Sequence, residues 1–461
     1  MVALVIHGHF YQPPRENPWT GHVDPEPSAA PYHDWNERIH AECYAPNVEN
    51  YKNISFNFGP TLMLWLASHH PDTYQKILDA DIESVARRSG HGNAIAQAYG
   101  HAILPLCNER DRLTQVVWGL NDFRFRFGRE AESLWLPETA ANDEVLALLI
   151  EQGLRYVILA PNQAMGDIDP SKPYLYRPPD GSNRSLAIFF YNGLLARAIA
   201  FEKALTSSRG LVAHFIRAAG AGDMVNVAAD GETYGHHFKF GDLCLAHALE
   251  VEAPQAGFRI TNYGEYLDQH PPEIEVEIDN GPNGEGTSWS CAHGVGRWYR
   301  DCSCHTGGEP GWNQAWRSAL RAALNFLRDD TAVKFEDAGS DLLRDPWAAR
   351  NDYIDVILNH GLLDPFLNRH ALRADETRIV KLLEMQRIAL LMFASCGWFF
   401  SDLAGIETIQ VMRYAARVMD LQHQLGFEPP QRTLLEIISE AKSNDPEKGN
   451  GADLFLRFAK P

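Results

Sequence analysis

Nowhere in its 461 residues does the chain hold a run of about 18 apolar residues, so no membrane-spanning helix is expected. The opening segment Met1-Val2-Ala3-Leu4-Val5-Ile6-His7 has no basic stretch, and its apolar part is too short for a secretory leader. Cytoplasmic residence is the expectation. Positive charge is scarce as well: 41 Lys and Arg stand against 60 Asp and Glu, a formal charge of −19. Phosphate-binding surfaces need clustered cations, so a nucleic-acid partner is excluded and an anionic membrane is disfavoured. A neutral partner such as a sugar polymer makes no such electrostatic demand. Seven cysteines, an odd number in a chain this long, do not make a disulfide framework. Four candidate ligands, Cys291, Cys302, Cys304 and His305, lie within fifteen residues. The Cys-x-x-Cys spacing of zinc sites is missing there. A packed loop without metal is therefore expected, with zinc as the alternative, and no cofactor is expected elsewhere. Internal repeats and low-complexity tracts are absent too.

What is present reads as alternating strands and helices over the first two thirds. Residues 2–6 form a short, wholly apolar run of the kind buried on both faces of a parallel sheet. Further strands are expected at 54–58, 94–98, 133–136, 156–160, 186–191 and 224–228. Pro60 suits the first turn of a helix, and Asn142 suits the cap of one that Gly153 ends. Such a count fits an α/β fold, a distorted (β/α) barrel, with a doubly wound open sheet as its rival. From about residue 313 onward, apolar residues recur at helical spacing, as in 316–327, 379–393, 406–425 and 434–441. The expected organisation is a barrel over 1–280, a Gly-, Cys- and Trp-rich loop over 281–312 and a helical region over 313–461 packed on the barrel. The aromatic stretch 395–402 within that last region is expected to be core.

Active sites of parallel barrels lie at the carboxyl ends of the strands. His7 and His9 follow the first expected strand, with Gln12 close behind; His101 follows the third. Glu138 follows the fourth, just past Trp135, and Asp230, Glu232 and His236 follow the last. Taken singly, each has a plain structural account. A histidine after a strand often satisfies its neighbours, Glu138 suits a helix amino terminus, Asp230-Gly231 is a turn signal, and Trp289 and Trp298 suit a core. Jointly, so many polar groups on one rim point to a site. Two carboxylates from different strands suit glycosidic bond cleavage, one attacking the anomeric carbon or activating water while the other protonates the leaving oxygen. Burial or a neighbouring carboxylate such as Glu232 keeps the acid protonated near neutrality. Histidines would hold sugar hydroxyls, and tryptophan faces would stack on sugar rings.

At these residues the chain resembles glycoside hydrolase family 57. His7-Gly8-His9-Phe10-Tyr11-Gln12-Pro13 is similar to the family's first motif, and Ala98-Tyr99-Gly100-His101 to its second, although an acidic residue frequent there is missing. Trp135-Leu136-Pro137-Glu138 resembles the third motif and Asp230-Gly231-Glu232-Thr233-Tyr234-Gly235 the fourth. Either Trp289 or Trp298 fills the tryptophan position of the fifth. The resemblance implies a (β/α)7 barrel, no required metal, α-glucan substrates and a retaining mechanism, with Glu138 as nucleophile and Asp230 as acid/base. Among the family's activities are α-amylase, 4-α-glucanotransferase and branching enzyme. It leaves His7, His9, Gln12, His101, Trp135, Glu232, His236 and one of the two tryptophans as substrate-binding residues. Two rivals stand beside it. One is a metal-dependent hydrolase of the polysaccharide deacetylase kind, with ligands from His7, His9, His101, Asp230 or His236. The other is a carbohydrate-binding protein without catalysis.

Overall fold

The computed structural model describes residues 1–459; the last two residues of the expected 313–461 segment lie outside the described residues. Its first strand, β1 (Val2–Phe10), is the axis of the fold. On one side it pairs in parallel with β8 (Met224–Asp230), from Ala3 opposite Met224 to His9 opposite Asp230. On the other side His7–Phe10 pair with β2 (Ser55–Phe58), while Val2–Leu4 pair with β9 (Phe258–Ile260) below it. A bridge from Phe56 to Ala94 leads towards β3 (Ala96–Gln97), which pairs with β4 (Leu134–Trp135). A bridge from Ser133 to Tyr156 leads to β5 (Tyr156–Leu159), which pairs with β7 (Leu186–Phe190). Among the described residues no ladder joins β7 to β8. Instead Asn192 N–H donates to Asn226 O (2.9 Å), and Asn226 Nδ2 donates to Phe190 O (3.2 Å). The result is a distorted (β/α)7 barrel followed by a helical region, and all seven expected strand positions belong to it.

The sequence reading did not foresee β6 (Pro173–Tyr176), β9 or β10 (Ile274–Glu275). β6 runs antiparallel to β7 and carries β10 outside the ring. Both Ile274 and Glu275 are exposed, so no apolar run marks them.

Side chains along a strand alternate between faces, and that parity places the site. Leu4, Ile6 and Phe10 face the core under the surrounding helices, so Ala3, Val5, His7 and His9 point into the ring. Phe56 and Phe58 face outward on β2, leaving Ser55 and Asn57 inside; Ala96 does so on β3, leaving Gln97. On β8, Val225, Val227 and Ala229 lie outside, so Met224, Asn226, Ala228 and Asp230 face in. Ala3, Val5, Ile95, Trp135, Tyr156, Phe189, Met224 and Tyr263 plug the barrel interior beneath the polar rim.

Flanking helices begin and end where the sequence signals them. Pro60 opens Pro60–His69; Asn142 accepts from Val145 N–H to cap Asp143–Glu151, and Gly153 at φ 79° follows. The helical region holds its own apolar core, with Trp316–Leu342 against Gln431–Ile438 and Glu376–Leu391 against Ile406–Gln424. Buried Arg350 ties that region to the barrel's Glu109–Phe127 helix. It donates to Asp111 Oδ1 (2.7 Å), Arg110 O (2.8 Å) and Thr114 Oγ1 (2.8 Å). Within 281–311, only Pro282–Gly284 and Gly296–Trp298 make short helical turns. No described helix is long and apolar enough to cross a membrane.

Candidate active site

Glu138 leaves β4 on a turn that holds it at φ 60° and Thr139 at φ 51°. Left-handed backbone is uncommon for side chains of this kind and persists where surrounding contacts over-determine it. Those contacts are visible. Ala141 and Thr287 exchange two backbone hydrogen bonds (3.0 Å each), and Gln163 Nε2 donates to Thr139 O (2.8 Å) and Thr287 O (3.0 Å). The 281–311 loop is thereby laid across the rim. Trp289 Nε1 (2.9 Å) and Ser290 Oγ (2.7 Å) both donate to Glu138 Oε2, and Trp289 N–H donates to Glu138 O (3.1 Å). Burial raises the Glu138 carboxyl above its ordinary range, against the pull of these donors and of Arg297.

Asp230 ends β8 with its side chain open to the cleft and, among the described residues, without a hydrogen-bond partner. Its recess among protein atoms, and then the charge of Glu138, push it up to about 7. Glu232 is different. It is buried, and its Oε1 accepts from Tyr11 N–H (3.1 Å) and Tyr44 Oη (2.7 Å). Burial, then the charge of Asp230, raise it to about 8. Glu232 therefore still carries its proton where Asp230 titrates, and Glu138 rather than Glu232 is the like charge that raises Asp230. The backbone between them is fixed by packing: a Cβ on Gly231 would meet the Phe10 ring at 2.3 Å. Gly235, at φ 146°, would meet Glu42 O at 2.3 Å.

The three histidines form one hydrogen-bonded chain. Ser55 Oγ lies 2.9 Å from His7 Nδ1, and His7 Nε2 lies 3.0 Å from Asn57 Oδ1. Asn57 Nδ2 donates to His9 Nδ1 (3.0 Å), and His9 Nε2 lies 3.2 Å from His101 Nε2. His101 Nδ1 ends the chain on Ser395 Oγ (2.6 Å) of the helical region. A single direction satisfies every link: His7 and His9 carry the proton on Nε2, and His101 on Nδ1. Burial holds His7 and His101 at about 3 and His9 well below its ordinary value, so all three are neutral.

Several expected ligands of a substrate take other roles. His7 is wholly buried with both nitrogens engaged, so it braces the rim from beneath. Trp135 is buried with its ring stacked against His7 and His9 (4.8 Å between centroids in each case) and its edge against Trp289, leaving no face for a sugar. Gln12 spends its amide locally, donating to Tyr11 O and accepting from Arg15. His236 turns to Glu42 and packs edge-on to Trp35. Trp298 lies fully buried in the core of the helical region, so Trp289 is the tryptophan of the site. His7, His9, His101, Asp230 and His236 bring no three ligand atoms together among the described residues, which removes the geometry a metal-dependent hydrolase needs. His305 turns back to Gly307 O, and His293 takes its place beside the cysteines.

Sequence reasoning missed Ser290, Asn57, Gln97, Ser395 and Tyr11, whose ring stacks on His101 at 3.7 Å. Asn57 and Gln97 stand at the carboxyl ends of β2 and β3, so the rule that picked out His9 would have found them. Trp289, Ser290, Arg297 and Asn162 line an open cleft of about 440 Å³ beside Glu138.

Residues 312–461 match a family model described as a Domain of unknown function (DUF3536). An α-amylase of Pyrococcus abyssi is 23% identical over 269 residues, 55% of this chain and 39% of that protein. A 4-α-glucanotransferase of Thermococcus litoralis is 22% identical over 269 residues, with the same shares. The chain thus spans about two fifths of the length of these curated relatives. The crystal structure of an exo-type maltose-forming amylase from Pyrococcus sp. ST04 shares the fold, with a TM-score of 0.73 at 16% identity over 95% of this chain and 82% of that one. Residues 28–279, more than half of the chain, match the model of Glycosyl hydrolase family 57, and the chain belongs to that family.

Proposed function

We propose that the chain is a retaining enzyme of α-glucans, a hydrolase or transglycosylase, working through a covalent glycosyl–Glu138 intermediate with Asp230 as acid/base. The observation that carries this reading is the contrast between the two carboxyls. Two donors grip Glu138 Oε2 and stabilise the carboxylate, leaving Oε1 as the oxygen free to attack. Asp230 has no such support and, held at about 7, keeps its proton for the leaving oxygen. Attack forms the Glu138–glycosyl ester and consumes the charge that had raised Asp230. The Asp230 carboxyl then falls in pKa and accepts a proton from the incoming water or sugar hydroxyl. One pair of side chains thus serves as acid in the first step and base in the second. Neutral His9 and His101 do not compete for the proton; with their nitrogens engaged by Asn57, by each other and by Ser395, they brace the rim. Names of both hydrolases and transferases among the relatives support the substrate class.

The test is product analysis on maltooligosaccharides, amylose and pullulan, with Glu138→Gln as the matched control. Shorter, longer or branched glucans from wild type and none from the variant are expected. An inert wild type, or a variant of equal activity, overturns the reading.

A further inference from the structure

Beside the cleft, the 281–311 loop folds back so that Cys291, His293, Cys302 and Cys304 meet. All four ligand atoms lie within 4.8 Å of one another. Cys291 Sγ and Cys302 Sγ are 3.7 Å apart, and Cys304 Sγ is 3.5 Å from His293 Nδ1. Zinc bonds of ~2.3 Å to sulfur and ~2.0 Å to imidazole nitrogen set tetrahedral edges of about 3.8 Å between sulfurs and about 3.5 Å between sulfur and nitrogen. Both measured edges match. A disulfide does not account for the pair, since its sulfurs stand about 2.05 Å apart. We propose that Cys291, His293, Cys302 and Cys304 form a closed, four-coordinate Cys₃His zinc site that staples the active-site loop.

A further observation points the same way. Arg317 is fully buried and Arg297 nearly so, yet among the described residues neither forms an ion pair with a carboxylate. Arg317 instead donates to Cys304 O (2.7 Å). Buried cations require a counter-charge, and three thiolates around a divalent ion carry a net −1. Binding replaces three S–H bonds by three S–Zn bonds and releases the three protons to solvent, with no change of oxidation state. Thiolate and imidazole donors in tetrahedral array select zinc over harder cations.

The site has a place in the reaction proposed above. Cys291 directly follows Ser290, and Trp289 precedes it, so the staple fixes the segment that supplies both donors to Glu138. Cys291 and Cys304 also line the cleft beside Glu138, but four protein ligands leave the ion no open position for substrate or water.

Protein purified without chelator should carry about one zinc per chain by elemental mass spectrometry. Cobalt added to the metal-free, reduced protein should give thiolate charge-transfer absorption and the visible bands of a tetrahedral centre. Cys302→Ser and His293→Ala should each lose the metal, while His305→Ala should keep it. Wild type holding below about 0.1 zinc per chain, even after zinc is restored under reducing conditions, overturns the proposal. So does a Cys291–Cys302 disulfide in freshly purified protein, or loss of zinc in His305→Ala alone. Because zinc content and the cobalt spectrum are read on wild type, the proposal stands or falls even where a variant folds poorly, and His305→Ala counts only when its melt matches wild type. Failure of the glucan reading leaves them untouched.

Discussion

Removing the Ser290 hydroxyl perturbs Glu138 without touching either reacting carboxyl. Ser290 Oγ supplies one of two donors to Oε2, at 2.7 Å, and Trp289 Nε1 supplies the other. A hydrogen bond to a charged group contributes about 1.5–3 kcal/mol. Since a tenfold change in an equilibrium corresponds to about 1.36 kcal/mol, losing one of the two raises the Glu138 pKa by roughly 1–2. The reactive form is the carboxylate, so the acid limb of kcat/KM should move to higher pH by that amount. Below the new limb, activity should fall about tenfold for every pH unit the limb has moved. The basic limb, set by Asp230 at about 7, should hold its place, because burial is the larger cause of its elevation and Ser290 makes no hydrogen bond to it. Ser290→Ala thus narrows the profile from the acid side alone. The assay is kcat/KM on a maltooligosaccharide from about pH 4 to 9, with Ser290→Thr as the conservative control that restores the limb. A uniform loss of activity with both limbs unmoved would refute the argument, since that pattern means Ser290 only packs.

Glu232→Gln should keep activity within a few-fold, because its Oε1 accepts two bonds and an amide oxygen accepts them equally well; a sugar-binding or proton-carrying Glu232 predicts a large loss in kcat instead. Relative to wild type, the same variant should gain stability as pH rises towards 8. A carboxyl raised to about 8 contributes stability below its unfolded value near 4.3, and that contribution is lost as pH climbs towards 8, so removing the ionisation removes the loss. Thermal melts should therefore show the gap between the two proteins widening from about pH 4.3 to about pH 8, so that it is larger at pH 9 than at pH 6. Arg350→Ala breaks a buried ion pair to Asp111 across the barrel–helix boundary and should cost about 3–5 kcal/mol, lowering Tm by several degrees; a Tm within a degree of wild type would show that the boundary holds without it.

Much of the barrel and half of its rim could be read from the chain because strand parity is written in residue type. In Val2–Phe10, an outward apolar residue at every second position forces His7 and His9 inward, and the same rule applied to Met224–Asp230 turns Asp230 to the cleft. Parity could not tell depth, however. His7, His9 and Trp135 stand at or just past the expected strand ends and read alike as rim residues, yet all three are buried against one another. β6, β9 and β10 went unread because two to four residues, partly exposed, give no periodic signal. The choice of Trp289 over Trp298, and of His293 over His305, depends on how a loop without regular structure folds back on itself. No local pattern encodes that. Ser395 was beyond reach for a different reason: it lies 294 residues from the histidine it meets.

That last contact bears on how such proteins can be recombined. The barrel and the carboxyl-terminal helices match separate family models, which invites treating them as interchangeable parts. Yet the hydroxyl on which the histidine chain ends, at His101 Nδ1, comes from the far side of that boundary. A chimera joining this barrel to a foreign helical partner would inherit both carboxylates and leave buried His101 Nδ1 without its partner, unless the graft brings a hydroxyl to the place of Ser395.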